Sequence, residues 1–253
     1  MIDLHCHILP GLDDGAQTMV EALEMARIAV ADGITDIVAT PHTHDGIYKN
    51  LSKEVLKAVD EFQSVLDRKG IPLRVHPGAE VHIHVEFLRN IFSFNVLTVN
   101  QCRYVLLELP VQTIPRFTEK LIYELLENGL VPMIAHPERN AVIRENFDLL
   151  ADWIREGAIA QLTAGSLMGW MGERTKAVAE YMVKHRLVQV IASDAHNTVR
   201  RRPELKTAYE LISHITSREE ERMFRINAEA VFWGEDCERL EPTIDRNKKW
   251  ISF

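Results

Sequence analysis

His5-Cys6-His7 opens the chain's chemistry: two histidines, two residues apart, close to the N-terminus. An extended backbone sends alternate side chains to one face, so His5 and His7 point together and Cys6 points away. Two imidazoles converging at a strand end are costly to bury unless a cation binds them. Donors of the same kind recur down the chain. They are Asp14, His42 after Pro41, Glu80 after Gly78-Ala79, Glu108 after Leu107, His136 between Ala135 and Pro137, and Asp194 and His196 around Ala195. Imidazole and carboxylate ligands without a thiolate suit Mn, Fe, Zn or Mg better than a soft-metal site. The series points to a multinuclear metallohydrolase.

Donors so far apart in sequence need a scaffold that gathers them. Short apolar runs at Ile2–His5, Asp36–Ala39, Leu73–His76, Tyr104–Leu107, Val131–Ala135, Ile159–Leu162 and Val188–Ala192 read as strands. Between them, Met19–Ala31, Lys53–Arg68, Arg116–Asn128, Phe147–Glu156, Thr175–His185 and Pro203–His214 read as amphipathic helices. Glycines at 33, 70, 129 and 157 fall where C-terminal helix caps belong. Neither a linker nor a repeat interrupts the pattern. Seven βα units predict one α/β domain over residues 1–253, a TIM-like (β/α)7 barrel, complete or distorted, with a basic tail from about 243. A barrel collects its functional loops at the C-terminal ends of its strands. Asp14, His42, Glu80, Glu108, His136 and Asp194 all lie at or just past such an end.

Composition removes several function classes. Hydrophobic residues make up 46% of 253 and charged residues 26%, as in an ordinary globular protein with a substantial core. No long uncharged apolar run is present, which predicts no membrane insertion. Asp3, His5 and His7 stand where a secretory leader would be apolar, and three cysteines make no disulfide scaffold, so a cytoplasmic location is expected. A net charge of −8 argues against broad nucleic-acid binding. The run Arg246-Asn247-Lys248-Lys249-Trp250 reads as a solvated terminus. A cysteine-based phosphatase needs an arginine six residues after its nucleophile, and Leu12, Glu108 and Thr243 hold those positions. Nucleotide-binding glycine signatures are missing. His44, His76, His82, His84, His185 and His214 read as surface, groove or capping residues rather than ligands.

These motifs resemble the PHP (polymerase and histidinol phosphatase) superfamily, and within it the manganese-dependent protein-tyrosine phosphatases of Gram-positive bacteria. The resemblance spans nearly the whole chain. It rests on residues 1–15 (MIDLHCHILPGLDDG), Ala39-Thr-Pro-His42, Gly78-Ala-Glu80, Ile134-Ala-His-Pro-Glu-Arg-Asn140 and Ala192-Ser-Asp-Ala-His-Asn197. It implies three divalent metal ions, manganese first among them. One would be held by His5, His7, Glu80 and Asp194, a second by Glu80, Glu108 and His136, and a third by Asp14, His42 and His196. Asp14 stands where many superfamily members have a histidine, and its neighbour Asp13 is the alternative. Four ligand carboxylates against three divalent ions leave a surplus of two positive charges, which suits a phosphomonoester dianion.

The mechanism expected from the resemblance is phosphotyrosine hydrolysis by a metal-bridging hydroxide, with two ions about 3.5–4 Å apart. Arg139 and one of Arg200, Arg201 and Arg202, with Arg201 favoured, would clamp the phosphate. His42 or a water would supply any proton the leaving group needs. The implied protein substrate is a bacterial tyrosine kinase and its targets in capsule or exopolysaccharide synthesis. Homo-oligomers are also implied, with the Ser217–Arg225 helix as one candidate interface. Competing readings are a small-molecule phosphatase of the histidinol-phosphatase type, a metal-stabilised binding barrel, and a nuclease.

Overall fold

The structure is a computed structural model that describes residues 1–43, 46–93 and 95–244. His44 and the basic run Arg246–Trp250 therefore lie outside the described residues. The strands are β1 (Ile2–Cys6), β2 (Asp36–Ala39), β3 (His42–Thr43), β4 (Arg74–Pro77), β5 (Glu80–His82), β6 (Tyr104–Glu108), β7 (Val131–Ala135), β8 (Ile159–Thr163) and β9 (Val190–Ala192). The helices between and after them are α1 (Met19–Asp32), α2 (Ser52–Lys69), α3 (Phe87–Phe92), α4 (Thr118–Glu127), α5 (Ala141–Glu145), α6 (Phe147–Glu156), α7 (Ala164–Leu167), α8 (Glu173–Lys184), α9 (Lys206–Ile215) and α10 (Arg218–Trp233).

Local chemistry explains the longer helices. Thr18 caps α1 by accepting from the Glu21 amide, and Gly33 ends it in the left-handed region at φ +93°. Helix α2 buries Val55, Val59, Phe62 and Leu66, the three-and-four spacing that makes one apolar stripe. Each such side chain contributes roughly 1.5–3 kcal/mol on burial. Helix α10 runs well past the expected Ser217–Arg225 segment because Phe224, Ala228, Val231 and Phe232 continue its apolar stripe. That stripe packs on β1 and β9.

All strand pairs are parallel. One sheet has the order β1-β2-β4 and the other β3-β5-β6-β7-β8-β9. The sequence reading has seven strands, whereas the described residues form nine. The two extra ones arise from interruptions of single runs. Thr40-Pro41 divides β2 from β3, and a proline cannot donate to a ladder. Gly78-Ala79 divides β4 from β5, where a Cβ on Gly78 would lie 2.7 Å from Val38 Cγ1. Past β9, Cys6 makes a parallel bridge with Ala195. Asp194 donates its amide to His5 O at 2.8 Å, and His7 donates to Ala195 O at 2.9 Å. The two sheets also share an apolar cluster: Leu4 and Val38 from one, Leu106, Met133, Ile159 and Val190 from the other, with Val231 and Phe232 of α10. A larger cluster fills the space between strands and helices and takes in Cys6, as strand parity predicts. Among the described residues no helix is long and apolar enough to cross a membrane.

Candidate metal centre

The last residues of β1 and the loop after it carry His5 and His7, both almost fully buried. His5 Nδ1 lies 2.8 Å from Gln161 Oε1 on β8. Gln161 donates its own amide nitrogen to Leu162 O, so its oxygen is what faces His5, and it accepts the Nδ1 proton. His7 Nδ1 donates to Asp13 Oδ2 at 2.6 Å. Each ring thereby turns the lone pair of Nε2 inward, and these two atoms lie 3.0 Å apart. Glu80 Oε2 is 3.2 Å from one and 3.3 Å from the other. Asp194 Oδ1 stands 3.5 and 3.6 Å from the same pair. With both Nδ1 protons committed, the four atoms that meet here need a positive charge among them, either a proton on one ring or a metal ion.

The Asp13-Asp14 turn divides two tasks between adjacent carboxylates. Asp13 is buried and accepts from His7 Nδ1, the Gly15 amide at 2.9 Å and the His42 amide at 2.9 Å. Asp14 is half exposed, with Oδ1 3.5 Å from His42 Nε2 and 3.3 Å from His196 Nε2. Asp14 is thus the one positioned as a ligand, and Asp13 orients His7. The turn fits closely: a Cβ on Gly15 would fall 2.1 Å from His7 O and 2.5 Å from His7 Cβ.

Glu80 opens β5 and is the hub of the cluster. Its Oε1 lies 2.7 Å from His136 Nε2, while Oε2 is 3.1 Å from His42 Nδ1. Glu108, at the end of β6, sits 3.8 Å from His42 Nδ1 and 3.1 Å from His82 Nδ1. His82, expected in a groove or surface role, lies beside this carboxylate. Glu80 Oε2 and His42 Nδ1 are both buried without a hydrogen bond of good geometry among the described residues. His136 holds a left-handed backbone at φ +33°, as does Asp194 at φ +51°. Strain at non-glycine residues of this kind collects at functional sites, where the surroundings enforce it.

Asp194 is buried and receives Arg139 on Oδ2 and Arg201 on Oδ1, the latter at 2.8 Å. Arg139 also donates to Thr163 Oγ1 at 2.9 Å. The Nε atoms of both arginines are buried and have no hydrogen-bond partner among the described residues, although Glu138 Oε1 lies 4.0 Å from Arg139 Nε. Of the three consecutive arginines, Arg201 reaches the site, whereas Arg202 pairs with Glu204 and lies over the Trp170 ring. His196 donates Nδ1 to the Asp194 carbonyl at 3.0 Å, so its Nε2 lone pair faces Asp14.

The charges follow from this geometry. Burial would raise the Asp194 pKa, but Arg139, His5 and Arg201 hold it well below the usual carboxylate range. Glu80 is held low in the same way by His5 and His136 against the effect of burial. Burial would discharge His7, yet the Asp13 and Glu80 carboxylates push its pKa up to about 10. Burial and the neighbouring His7 charge pull His196 down to about 4, so it is neutral near pH 7. Once the His7 proton is displaced, imidazole lone pairs facing anionic carboxylates fit divalent cations.

Three groups have donor atoms all within 4.8 Å of one another: His5, His7 and Glu80; His42, Glu80 and Glu108; and His7, Asp14, His42 and His196. The third contains the set expected from sequence, with His7 added, whereas the first gathers three of its four expected donors, with Asp194 Oδ1 3.5 and 3.6 Å from the two histidines. The second set is only partly gathered. His136 touches Glu80 but is not grouped with Glu108, and His42 takes that place. All nine expected ligands and both favoured arginines thus line one cup.

Sequence reasoning missed Gln161, Thr163 and Glu138. Gln161 and Thr163 are buried polar residues at alternate positions of an otherwise apolar strand, which was the available signal. Glu138, fully buried, accepts from Ser166 Oγ at 2.7 Å and the Thr163 amide at 3.2 Å, and so ties the Arg139 turn to β8.

Residues 1–233 match the family model for capsular polysaccharide synthesis, CpsB/CapC. The tyrosine-protein phosphatase YwqE of Bacillus subtilis (strain 168) is 40% identical over 253 residues, with 100% of both chains covered. The putative tyrosine-protein phosphatase CapC of Staphylococcus aureus is 36% identical over 254 residues, again with 100% of both covered. A crystal structure from work on YwqE of B. subtilis and CpsB of Streptococcus pneumoniae, described as unique metal-dependent tyrosine phosphatases, superposes with a TM-score of 0.94. It is 40% identical and covers 97% of this chain and 100% of its own. The chain belongs to the CpsB/CapC family of capsular polysaccharide synthesis.

Proposed function

We propose that the protein is a metal-dependent protein-tyrosine phosphatase, acting on phosphotyrosine of a bacterial tyrosine kinase and of related targets in capsule or exopolysaccharide synthesis. The observation that carries this reading is the pair of inward Nε2 lone pairs on His5 and His7, 3.0 Å apart. Family membership and the metal-dependent tyrosine phosphatases it resembles supply the substrate class. His5, His7, Glu80 and Asp194 hold one ion in this reading. Glu80, Glu108 and His136 hold a second, and Asp14, His42 and His196 a third. Manganese leads, with Fe, Mg and Zn as the alternatives. When bound, such ions activate water as Lewis acids and neutralise charge on the phosphoryl oxygens.

The chain's own groups do the remaining work. Gln161 and Asp13 accept the Nδ1 protons of His5 and His7 and so fix the tautomer and tilt of each ring. Arg139 and Arg201 approach Asp194 from two sides, each with a buried Nε–H that makes no hydrogen bond among the described residues. Guanidinium N–H groups left over in this way suit the non-bridging oxygens of a phosphate. Both nitrogens of His42 face carboxylates, which supports a ligand role over proton transfer. Tyrosinate, with a parent pKa of about 10, is a fair leaving group without a dedicated acid. We read the two sheets as one distorted seven-stranded barrel within a single cytoplasmic domain, and the Cys6–Ala195 bridge and shared apolar cluster support that reading.

The test is a substrate panel with manganese-loaded protein. A phosphotyrosyl peptide turns over with a higher kcat/KM than histidinol phosphate or a phosphoserine peptide. A clear preference for histidinol phosphate would replace this reading with the small-molecule one.

A further inference from the structure

Asp3, His5 and His7 occupy alternate positions along β1 and the residue just past it, and so share one face. His5 and His7 enter the candidate metal groups, whereas Asp3, fully buried one step deeper, belongs to none of the three. A buried carboxyl outside the donor set must be satisfied by something else. Here the partner is Ser193, which is also buried. Asp3 Oδ1 accepts the Ser193 amide at 2.9 Å, and Oδ2 accepts the Ser193 hydroxyl at 2.5 Å. Ser193 Oγ in turn accepts the Ala195 amide at 3.1 Å.

These three hydrogen bonds bracket Asp194. Strand β9 ends at Ala192, and the chain then follows β1 to the Cys6–Ala195 bridge. Midway, Asp194 takes a left-handed backbone at φ +51°. A residue in that region turns the amides on either side of it away from regular strand pairing, and buried amides need acceptors. The Asp194 amide itself reaches His5 O at 2.8 Å. The two flanking amides, of Ser193 and Ala195, are both taken up by the Asp3–Ser193 pair.

Much of the cup hangs on this turn. Asp194 Oδ1 stands 3.5 and 3.6 Å from the Nε2 atoms of His5 and His7 and receives Arg201 at 2.8 Å, while Oδ2 receives Arg139. The Asp194 carbonyl accepts from His196 Nδ1 at 3.0 Å and so orients that ring. We propose that Asp3 and Ser193 are positioning residues for the metal centre. As one buried unit they pin the Asp194 turn, and through it they aim the Asp194 carboxylate, both clamp arginines and His196. The inference rests on the metal-dependent reading of the cup and deepens it. Neither side chain is itself a ligand, so its loss loosens the centre without removing a donor.

Manganese affinity is measured by calorimetry, with no substrate present, on stripped Asp3→Asn, Ser193→Ala and the double variant. Asp3→Asn keeps the shape but turns an acceptor of the Ser193 hydroxyl into a donor. Ser193→Ala, the milder change, leaves the Ala195 amide unpaired and carries the test alone if Asp3→Asn does not fold. Each single variant binds manganese about 10- to 100-fold more weakly than the wild type. The double variant is no weaker than the worse single one, because the two side chains act together. At saturating manganese, kcat on p-nitrophenyl phosphate stays about tenfold below wild type. Val231→Ala, from the apolar cluster that holds Leu4, is the control for general loosening: it lowers Tm and leaves affinity and kcat unchanged. Wild-type affinity in the single variants, losses that add in the double variant, or losses that Val231→Ala reproduces would overturn the pin. Weakened affinity in these variants, in a protein whose wild type turns over no phosphoester, would remove the phosphatase reading and leave the pin standing. A wild type that binds no manganese would remove both.

Discussion

His5 and His7 face each other through Nε2 atoms 3.0 Å apart, and each has already committed its Nδ1 proton to an acceptor. Side chains two apart on one strand end are common, but lone pairs pressed together at that distance need a positive charge between them. A proton on His7 supplies it in the metal-free protein, and in the proposed function a divalent ion would displace that proton. The following predictions come from this exchange and from the groups that enforce it.

Metal binding releases protons. His7 has its pKa pushed up to about 10, so at pH 7 it is charged in the metal-free protein. An ion that takes Nε2 must expel that proton, and affinity therefore climbs as pH rises from 6 toward 9. The same shift sets the stability of the metal-free fold. A raised histidine pKa stabilises fully below about 6.5 and loses its contribution as pH rises toward about 10. Calorimetric titration with manganese in buffers of different ionisation enthalpy measures the release. An affinity independent of pH over that range would contradict the account.

Asp13 and Asp14 separate by role. Asp13→Asn removes the charge that orients His7 and lowers metal affinity about 10- to 100-fold. Asp14→Asn weakens the ion shared with His42 and His196 and leaves the His5–His7 pair able to bind. Metal content by mass spectrometry, read alongside affinity, distinguishes them. Identical losses in the two variants would refute the division.

Gly15 has no room for a methyl group, because its Cβ would overlap His7 O and Cβ. Gly15→Ala is expected to cost about 2–4 kcal/mol and to lower Tm by roughly 5–15 °C. The loss is largest in the metal-free protein if His7 also shifts. Thermal unfolding with and without manganese checks this.

Arg139 is held by Thr163 and Asp194 while its Nε makes no hydrogen bond among the described residues. Arg139→Lys keeps a charge but loses the fork, so kcat falls about 100-fold while metal content stays the same. Glu138→Gln, which disturbs the Thr163 and Ser166 hydrogen bonds beneath that turn, lowers kcat less and lowers Tm as well. Steady-state kinetics with parallel metal analysis decide the matter.

Much of this arrangement is legible in the sequence because β-strand ends and ligand residues share one period. Glycine caps, apolar stripes and donor residues just past each apolar run place Asp14, His42, Glu80, Glu108, His136 and Asp194 at one rim before any coordinates are known. What escapes is whatever depends on contacts across strands. Gln161 supports His5 from 156 positions away, and nothing local to either residue announces the pairing. The breaks at Thr40-Pro41 and Gly78-Ala79 are likewise tertiary, since the second is set by the Val38 side chain on the neighbouring strand. Asp13 and Asp14 are equivalent as letters, and only burial tells the orienting carboxylate from the exposed one. His42 joins Glu80 and Glu108 because β3 pairs with β5, a register that no spacing in the chain encodes.

The most direct test strips the purified protein with a chelator and reloads it stepwise with manganese while phosphate release from a phosphotyrosyl peptide is followed. The account predicts that turnover disappears on stripping, returns in proportion to bound ion, and does not return in a His5→Ala variant. Full turnover in the stripped protein, or full recovery without His5, would contradict it.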